Sequence, residues 1–241
     1  ETHNTGVPTM RAMVLEFPND IPCADLDRQY MLGGDLLVAP VFTKEGGVDY
    51  YLPEGTWTNF LDNRVVEGGK WQHEVHDFMS LMARENSLIA IGADDQNVEY
   101  DFGKDLTLHL FALKDKASAD IKDMYGNDML KAWAQNEDGK VTLKFQGRAE
   151  NLKVLLRNVR ATLYVDNEPV REEFGELGFS ERGIEGAVAL RMSRDAVDAL
   201  IDERRVKLVV DLKPALTEEV LRERIAREIA GMEPTEFFAE L

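Results

Sequence analysis

The sequence predicts a mostly β chain, with two β-sandwiches in succession closed by a helical tail. Three observations predict it. Short apolar or alternating runs, about four to eight residues each, recur from residue 36 to residue 165. Turn chemistry separates them at Pro53-Glu54-Gly55, Asp62-Asn63, Gly68-Gly69, Gly126-Asn127 and Asp138-Gly139. Past Ser193 the apolar spacing lengthens to the three-and-four step of a helix.

Residues 9–17 are mostly apolar and read as a strand covered on both faces, ended by Pro18-Asn19-Asp20. Residues 23–32 suit a short helix with Leu26, Tyr30 and Met31 near one face, and Leu36–Val41 reads as a buried strand. Val48–Leu52, Thr56–Phe60, Leu88–Ile91 and Leu106–Leu113 supply a first sandwich over 46–116. Ala119–Met124, Lys140–Gln146, Asn151–Arg157, Thr162–Val165, Ala187–Met192 and Val206–Leu212 supply a second over 117–213. Asp138-Gly139, before the alternating Val141–Phe145, is a hairpin signal. Ser193 is placed to cap a short helix carrying Ala196, Val197, Leu200 and Ile201. In the tail, 214–241, Thr217 is placed to cap a helix with Val220, Leu221, Ile225 and Ile229 on one face, stopping at Gly231.

Composition narrows the function. The 241 residues are 44% hydrophobic and 30% charged, with a formal net charge of -17. Such a field repels nucleic acid and anionic membranes, so neither is an expected partner. Cys23 is the one cysteine and permits no intrachain disulfide, which points to a reducing, cytoplasmic compartment. The first residues, Glu1 to Thr5, carry no initiator Met and no signal-peptide pattern, as expected of a chain cut from something longer or processed.

No local motif names a chemistry. His73-x-x-His76 has the spacing of two metal ligands on a helix, but Trp71–His76 does not read as a helix and no cysteine is near, so no metal is expected. There is no G-x-S-x-G, no G-x-G-x-x-G and no P-loop, and no cofactor is expected. Trp57, Trp71 and Trp133 have faces suited to sugar rings, although such residues are more often sandwich core or rim.

Longer stretches carry a resemblance. MRAMVLEFPND (10–20) followed by LDRQYMLGGDLLVAPVF (26–42) resembles the end of the catalytic region of glycoside hydrolase family 31. Within it, LDRQYM resembles the bacterial α-xylosidase subgroup. The resemblance continues through VDYYLPEGTWTNF, GGKW, HDFMSL and RENSLIAIG, thins across the second sandwich, and is faint after about residue 170. Between Ser80-Leu81 and Arg84 the chain is two residues shorter than the family pattern, an even deletion that preserves strand alternation.

The resemblance implies a (β/α)8 barrel flanked by β-sandwiches, with Met10–Phe17 as the last barrel strand and residues 1–45 as the barrel's end and linker. It implies hydrolysis of α-glycosidic bonds with retention, by an aspartate nucleophile and an aspartic acid/base. Both are expected upstream of Glu1, with the arginine and histidine that hold the sugar, so the chain alone is expected to be inactive. The intact enzyme's partner would be an α-xyloside or α-glucoside oligosaccharide, and the tail is open to a homo-oligomer contact. Glu16, Phe17 and Asp20, at the C-terminal end of the expected strand, are the substrate-adjacent candidates. The alternative for them is capping the strand and bracing the next segment. At the level of the whole chain, the alternatives are a carbohydrate-binding module and an interaction module.

Overall fold

A computed structural model describes residues 2–137 and 139–212. After a helical turn, α1 (Thr2–Thr5), a first set of strands follows: β1 (Met10–Ala12), β2 (Tyr30–Leu32), β3 (Leu36–Pro40), β4 (Gly47–Leu52), β5 (Thr56–Asn59), β6 (Val65–Glu67), β7 (Lys70–Val75) and β8 (Met79–Arg84). Six of them form one sheet in the order β1-β2-β3-β8-β5-β6, every pair antiparallel, while β4 and β7 form a separate two-stranded ribbon. Met31, Leu37, Ala39 and Met82 from the sheet meet Val48, Tyr50 and Leu52 from the ribbon, and Trp57 fills the middle with no exposed surface.

The second set is β9 (Ser87–Ile91), β10 (Thr107–Phe111), β11 (Lys116–Lys122), β12 (Asp128–Glu137), β13 (Lys140–Gly147), β14 (Lys153–Val165), β15 (Glu168–Ser180), β16 (Gly183–Glu185) and β17 (Val206–Asp211). One sheet runs β16-β15-β14-β10-β9, with β17 paired to the far half of β14, and the other runs β11-β12-β13. β10 and β14 pair in parallel; the other ladders between these named strands are antiparallel. Leu108, Leu110, Leu130, Ala132, Val159 and Leu177 anchor a second core.

The two cores divide at Glu85-Asn86, between β8 and β9, so the sandwich boundary expected at 116/117 falls inside the second core. Asn86 takes the left-handed conformation (φ 60°) that lets the chain change sheets in two residues. Its Oδ1 accepts the backbone N–H groups of Lys114 (2.6 Å) and Asp115 (3.0 Å), and Glu85 Oε2 accepts that of Thr56 (2.6 Å). Glu85 also pairs with Lys114 at 2.5 Å. Burial alone would raise the Glu85 carboxyl, but Lys114 and the Thr56 amide outweigh it and hold it below the usual glutamate range.

Several local expectations need correction. The strand expected over 9–17, the last barrel strand in the resemblance, is confined to Met10–Ala12 and lies antiparallel to β2. Met13–Glu16 instead form one helical turn, α2, closed by the Phe17 N–H on Met13 O at 2.9 Å. Among the described residues no strand borders this segment, and an unpaired strand leaves its amides without partners, whereas a turn satisfies one internally. The helix expected over 23–32 is a 3-10 turn at Ile21–Ala24 followed by β2. The strand expected at Ala187–Met192 is the first half of a helix, α3 (Ala187–Ile201). Its Val188, Met192 and Ala199 are buried on one face at helical spacing. Ser193 sits inside that helix, its Oγ donating to Leu190 O (2.8 Å), and does not cap it. The helix expected at 217–231 lies outside the described residues.

Candidate functional site

Glu16, Phe17 and Asp20 all sit half-buried where α2 and the 3-10 turn meet the first sheet. Glu16 ends α2, and its Oε1 pairs with the guanidinium of Arg11, a buried residue whose Nε also donates to Pro8 O (2.8 Å). The Phe17 ring lies 6.3 Å from the Trp57 ring, and the Arg84 guanidinium lies over it at 5.1 Å. The Asp20 carboxylate accepts the Tyr51 hydroxyl at 3.3 Å to each oxygen. Beside it, burial first and the Asp20 charge second push the Cys23 thiol up to about 11, so it is an unreactive core thiol at neutral pH. Each of the three candidates therefore holds one piece of the joint to another, and none is aimed at another across a cleft.

The polar cluster Asp27-Arg28-Gln29 splits in two. Gln29 is buried and its amide imitates a strand neighbour: Nε2 donates to Tyr51 O (2.8 Å) while Oε1 accepts the Tyr51 N–H (2.7 Å). One side chain so satisfies both backbone groups of a residue in the ribbon. Asp27 and Arg28 face outward. With Leu26, Pro40, Phe42, Thr43, Asp49 and Trp71 they line an open cavity of about 230 Å³. Trp71, 57% exposed and tilted against Tyr51 at 5.8 Å, forms an aromatic wall beside the Asp49 carboxylate. Asp49 Oδ1 lies within hydrogen-bond distance, 2.8 Å, of His73 Nδ1. Trp57 is core; Trp133 lies on the β11-β12-β13 sheet, away from this cavity.

His73 and His76 do not converge. His73 faces Asp49, whereas His76 Nε2 contacts Glu74 (2.8 Å), which also accepts the Ser80 hydroxyl (2.7 Å) and pairs with Arg64. Among the described residues there is no group of three or more His, Cys, Asp or Glu side chains able to hold a metal. No helix among them is long and apolar enough to cross a membrane.

A second polar cluster, which no sequence motif signals, joins the two cores. Arg157 on β14 donates Nη1 to Asn63 Oδ1 (2.7 Å) and both Nε (3.2 Å) and Nη2 (3.0 Å) to His109 Nδ1, and it pairs with Glu176. Asn63 Nδ2 donates to Glu176 (2.6 Å). Because arginine only donates, His109 Nδ1 must carry a lone pair, so the ring is neutral with its proton on Nε2. Burial first and the Arg157 charge second lower His109 to about 4, against an opposing pull from Glu176. The bonded pairs of this cluster lie 19 to 113 residues apart in sequence, so no spacing signature could have announced them.

Comparison with known proteins matches two separate stretches of the chain to two different families. Residues 6–89 match the profile of the glycosyl hydrolase family 31 C-terminal domain. Residues 140–237 match a different one, described as HI0933-like protein barrel and H2TH domain. The α-xylosidase XylQ of Lactiplantibacillus pentosus is 35% identical over 148 residues, covering 59% of this chain and 19% of XylQ. An α-xylosidase of Emericella nidulans is 46% identical over 87 residues, 33% of this chain and 11% of that protein. The cycloalternan-forming enzyme of Listeria monocytogenes, solved with a pentasaccharide substrate, is similar at a TM-score of 0.58 and 25% identity, over 70% of this chain and 17% of the enzyme. The chain thus spans about a fifth or less of these relatives.

Proposed function

We propose that residues 6–89, which carry the glycosyl hydrolase family 31 C-terminal domain, act as the non-catalytic brace of a retaining α-glycosidase. In the intact enzyme the substrate is an α-xyloside or an α-glucoside. The α-xylosidase relatives support the first and the α-glucosidase of Bacillus thermoamyloliquefaciens, 29% identical over 114 residues, leaves room for the second. The observation that carries the brace role is the full engagement of Glu16, Phe17 and Asp20 with Arg11, Trp57, Arg84 and Tyr51. A retaining glycosidase needs two carboxyl groups about 5–5.5 Å apart on either side of the bond, one of them with a raised pKa. Asp27 and Asp49, the carboxylates on the aromatic cavity, are both exposed side chains on an open surface cavity. Met10, Leu15 and Ile21 are large exposed apolar side chains around β1, α2 and the 3-10 turn, a surface suited to a catalytic domain packed against it. Residues 140–237 lie outside this reading, because another family's profile covers them.

The purified 241-residue chain is expected to give no turnover of a chromogenic α-xyloside or α-glucoside above the buffer rate. Turnover that persists through repurification overturns the brace reading.

One observation favours a second reading, in which the first unit also binds sugar. Trp71, with Asp27, Arg28 and Asp49 around it, pairs an aromatic face with hydroxyl-binding groups in a cavity of about 230 Å³, large enough for a single pyranose. Adding xylo- or gluco-oligosaccharides is then expected to change tryptophan fluorescence saturably, and Trp71→Ala is expected to abolish the change. A flat titration at millimolar sugar removes this reading and leaves the brace reading untouched.

A further inference from the structure

The β11-β12-β13 sheet buries one face and leaves the other open. Ala117, Leu130, Ala132 and Ala134 belong to the second core, and Val141 and Leu143 pack against it. Strand alternation puts the residues between them on the outer face. At its centre stands Trp133, 39% exposed, directly opposite Ser118 on β11 and Lys144 on β13. Gln135 is the next outward residue of β12 and lies opposite Thr142. An indole surrounded by hydroxyl, amide and ammonium groups suits a sugar. It offers an apolar face for the ring's C–H side and partners for the ring's hydroxyls.

We propose that this face binds an acidic oligosaccharide, a chain of uronic acid residues, with one ring stacked on Trp133. Charge argues for the acid. The whole chain has a net charge of -17, yet the outer face carries Lys116, Lys131, Lys140 and Lys144 against Asp120 and Glu137. Both acids are engaged: Asp120 pairs with Lys122 (3.1 Å), and Glu137 accepts the Gln135 amide (2.8 Å). Lys131 is taken by Asp128 (2.9 Å). Lys116 and Lys144, on opposite sides of Trp133, form no ion pair with another described residue. Cβ atoms of directly opposed residues lie about 5 Å apart and those of diagonal neighbours about 7–8 Å, so both ammonium groups reach the rim of a ring on the indole.

Shape argues for a chain of sugars. Ser118 and Asp120, at the β11 side of the platform, also border an open cavity of about 650 Å³ that faces Gly33-Gly34-Asp35 of the β2-β3 turn. That volume is in the range of small-molecule sites. An oligosaccharide laid across the strands would place one ring on Trp133, a carboxylate at Lys144 and its other end in the cavity. A single-stranded nucleic acid also offers rings and anions. It carries a charge on every nucleotide and stacks successive bases on several aromatics, whereas the outward positions of these three strands offer only Trp133, on a strongly negative chain. The proposal is independent of the brace reading and of the Trp71 cavity, neither of which involves this sheet.

The test is calorimetric titration of the full chain with tetragalacturonate, maltotetraose and oligouridylate. Each probe is also titrated into Trp71→Ala, which removes binding at the other cavity. Saturable binding of tetragalacturonate is expected in both proteins. Trp133→Ala is expected to weaken it about tenfold or more, and Lys116→Gln with Lys144→Gln about tenfold. Raising the salt from about 50 mM to about 500 mM should weaken the wild type clearly and the double lysine variant little. No tetragalacturonate binding at millimolar concentration overturns the proposal, as does binding that survives Trp133→Ala. Maltotetraose binding Trp71→Ala as tightly as tetragalacturonate overturns it too, and so does oligouridylate binding as tightly. A second measurement needs no variant. Saturating tetragalacturonate should slow amide exchange in β11, β12 and β13 and leave the β4-β7 ribbon unchanged. Protection confined to other segments overturns the proposal.

Discussion

Trp57→Ala is expected to destabilise the first unit by about 3–5 kcal/mol, the largest loss of any single replacement there. The indole has no exposed surface and lies between the six-stranded sheet and the ribbon. Its Nε1–H donates to Pro53 O (2.8 Å), so the replacement removes both packing and the partner of a buried carbonyl. The surroundings cannot close the gap. Gly68 already approaches so near that a Cβ there would lie 1.8 Å from Pro53 O and 3.0 Å from Trp57 Nε1, which shows a backbone packed to its limit. Phe17 would lose the ring it leans on, and with it the footing of the Arg84 guanidinium. Hydrogen exchange resolved by segment is the measurement. Residues 30–84 should exchange near the rate of a largely unfolded unit while β14 and β15 stay protected. A loss below about 1 kcal/mol would show that the two layers collapse onto the void.

Trp57 also illustrates what the sequence could disclose. Among the short apolar runs, Leu36–Val41, Val48–Leu52, Thr56–Phe60, Leu88–Ile91 and Val206–Leu212 all lie on observed strands, because a half-buried strand must write its period into its residues. The period does not reveal which of three tryptophans is core and which lines a cavity, since that depends on how two layers stack. β15 left no legible trace. Its Glu168–Ser180 run is rich in charge and has low β-propensity, and it is held by the long ladder to β14 and by Arg171 pairing with Glu173 (3.0 Å) and Asp195 (2.9 Å). β14 read as two strands because Asn158 (φ 54°) interrupts its alternation at the irregularity between Leu156 and Val159. α3 read partly as a strand for the opposite reason: with apolar residues on both faces, its first six residues carry no visible period. At the joint, Gln29 stands in sequence within the polar cluster Asp27-Arg28-Gln29, and its role as a backbone mimic needed Tyr51, 22 residues away.

Acid is expected to loosen the contact between the two units through His109, and the sign follows from its neighbours. The ring is 7% exposed, accepts two hydrogen bonds from a guanidinium, and is packed among Phe60 at 5.7 Å and Phe111 at 6.4 Å. A proton on Nδ1 would break both bonds and place a second positive charge against Arg157. The folded-state value, about 4, therefore lies below the ordinary 6.5. A group depressed in this way contributes fully above 6.5, and its contribution is lost as the pH falls from 6.5 toward 4, where the unfolded chain takes up a proton that the folded chain refuses. The loss across that window is on the order of 3 kcal/mol. Carboxylates such as Glu85 also weaken the fold in acid, so the quantity to measure is a difference. Urea unfolding of the wild type and of His109→Phe, followed from pH 7 to pH 4, should give curves whose separation narrows steadily, because phenylalanine cannot titrate. Curves that stay parallel would mean that the Arg157 cluster relaxes to accept the proton. Arg157→Ala checks the same cluster from the other side. It leaves Asn63 and Glu176 without their cation, should cost about 2–3 kcal/mol at pH 7 given the partial exposure of Glu176, and should move His109 back toward its ordinary value, flattening the acid response. A variant that loses stability at pH 7 yet keeps the full acid response would place the proton uptake elsewhere.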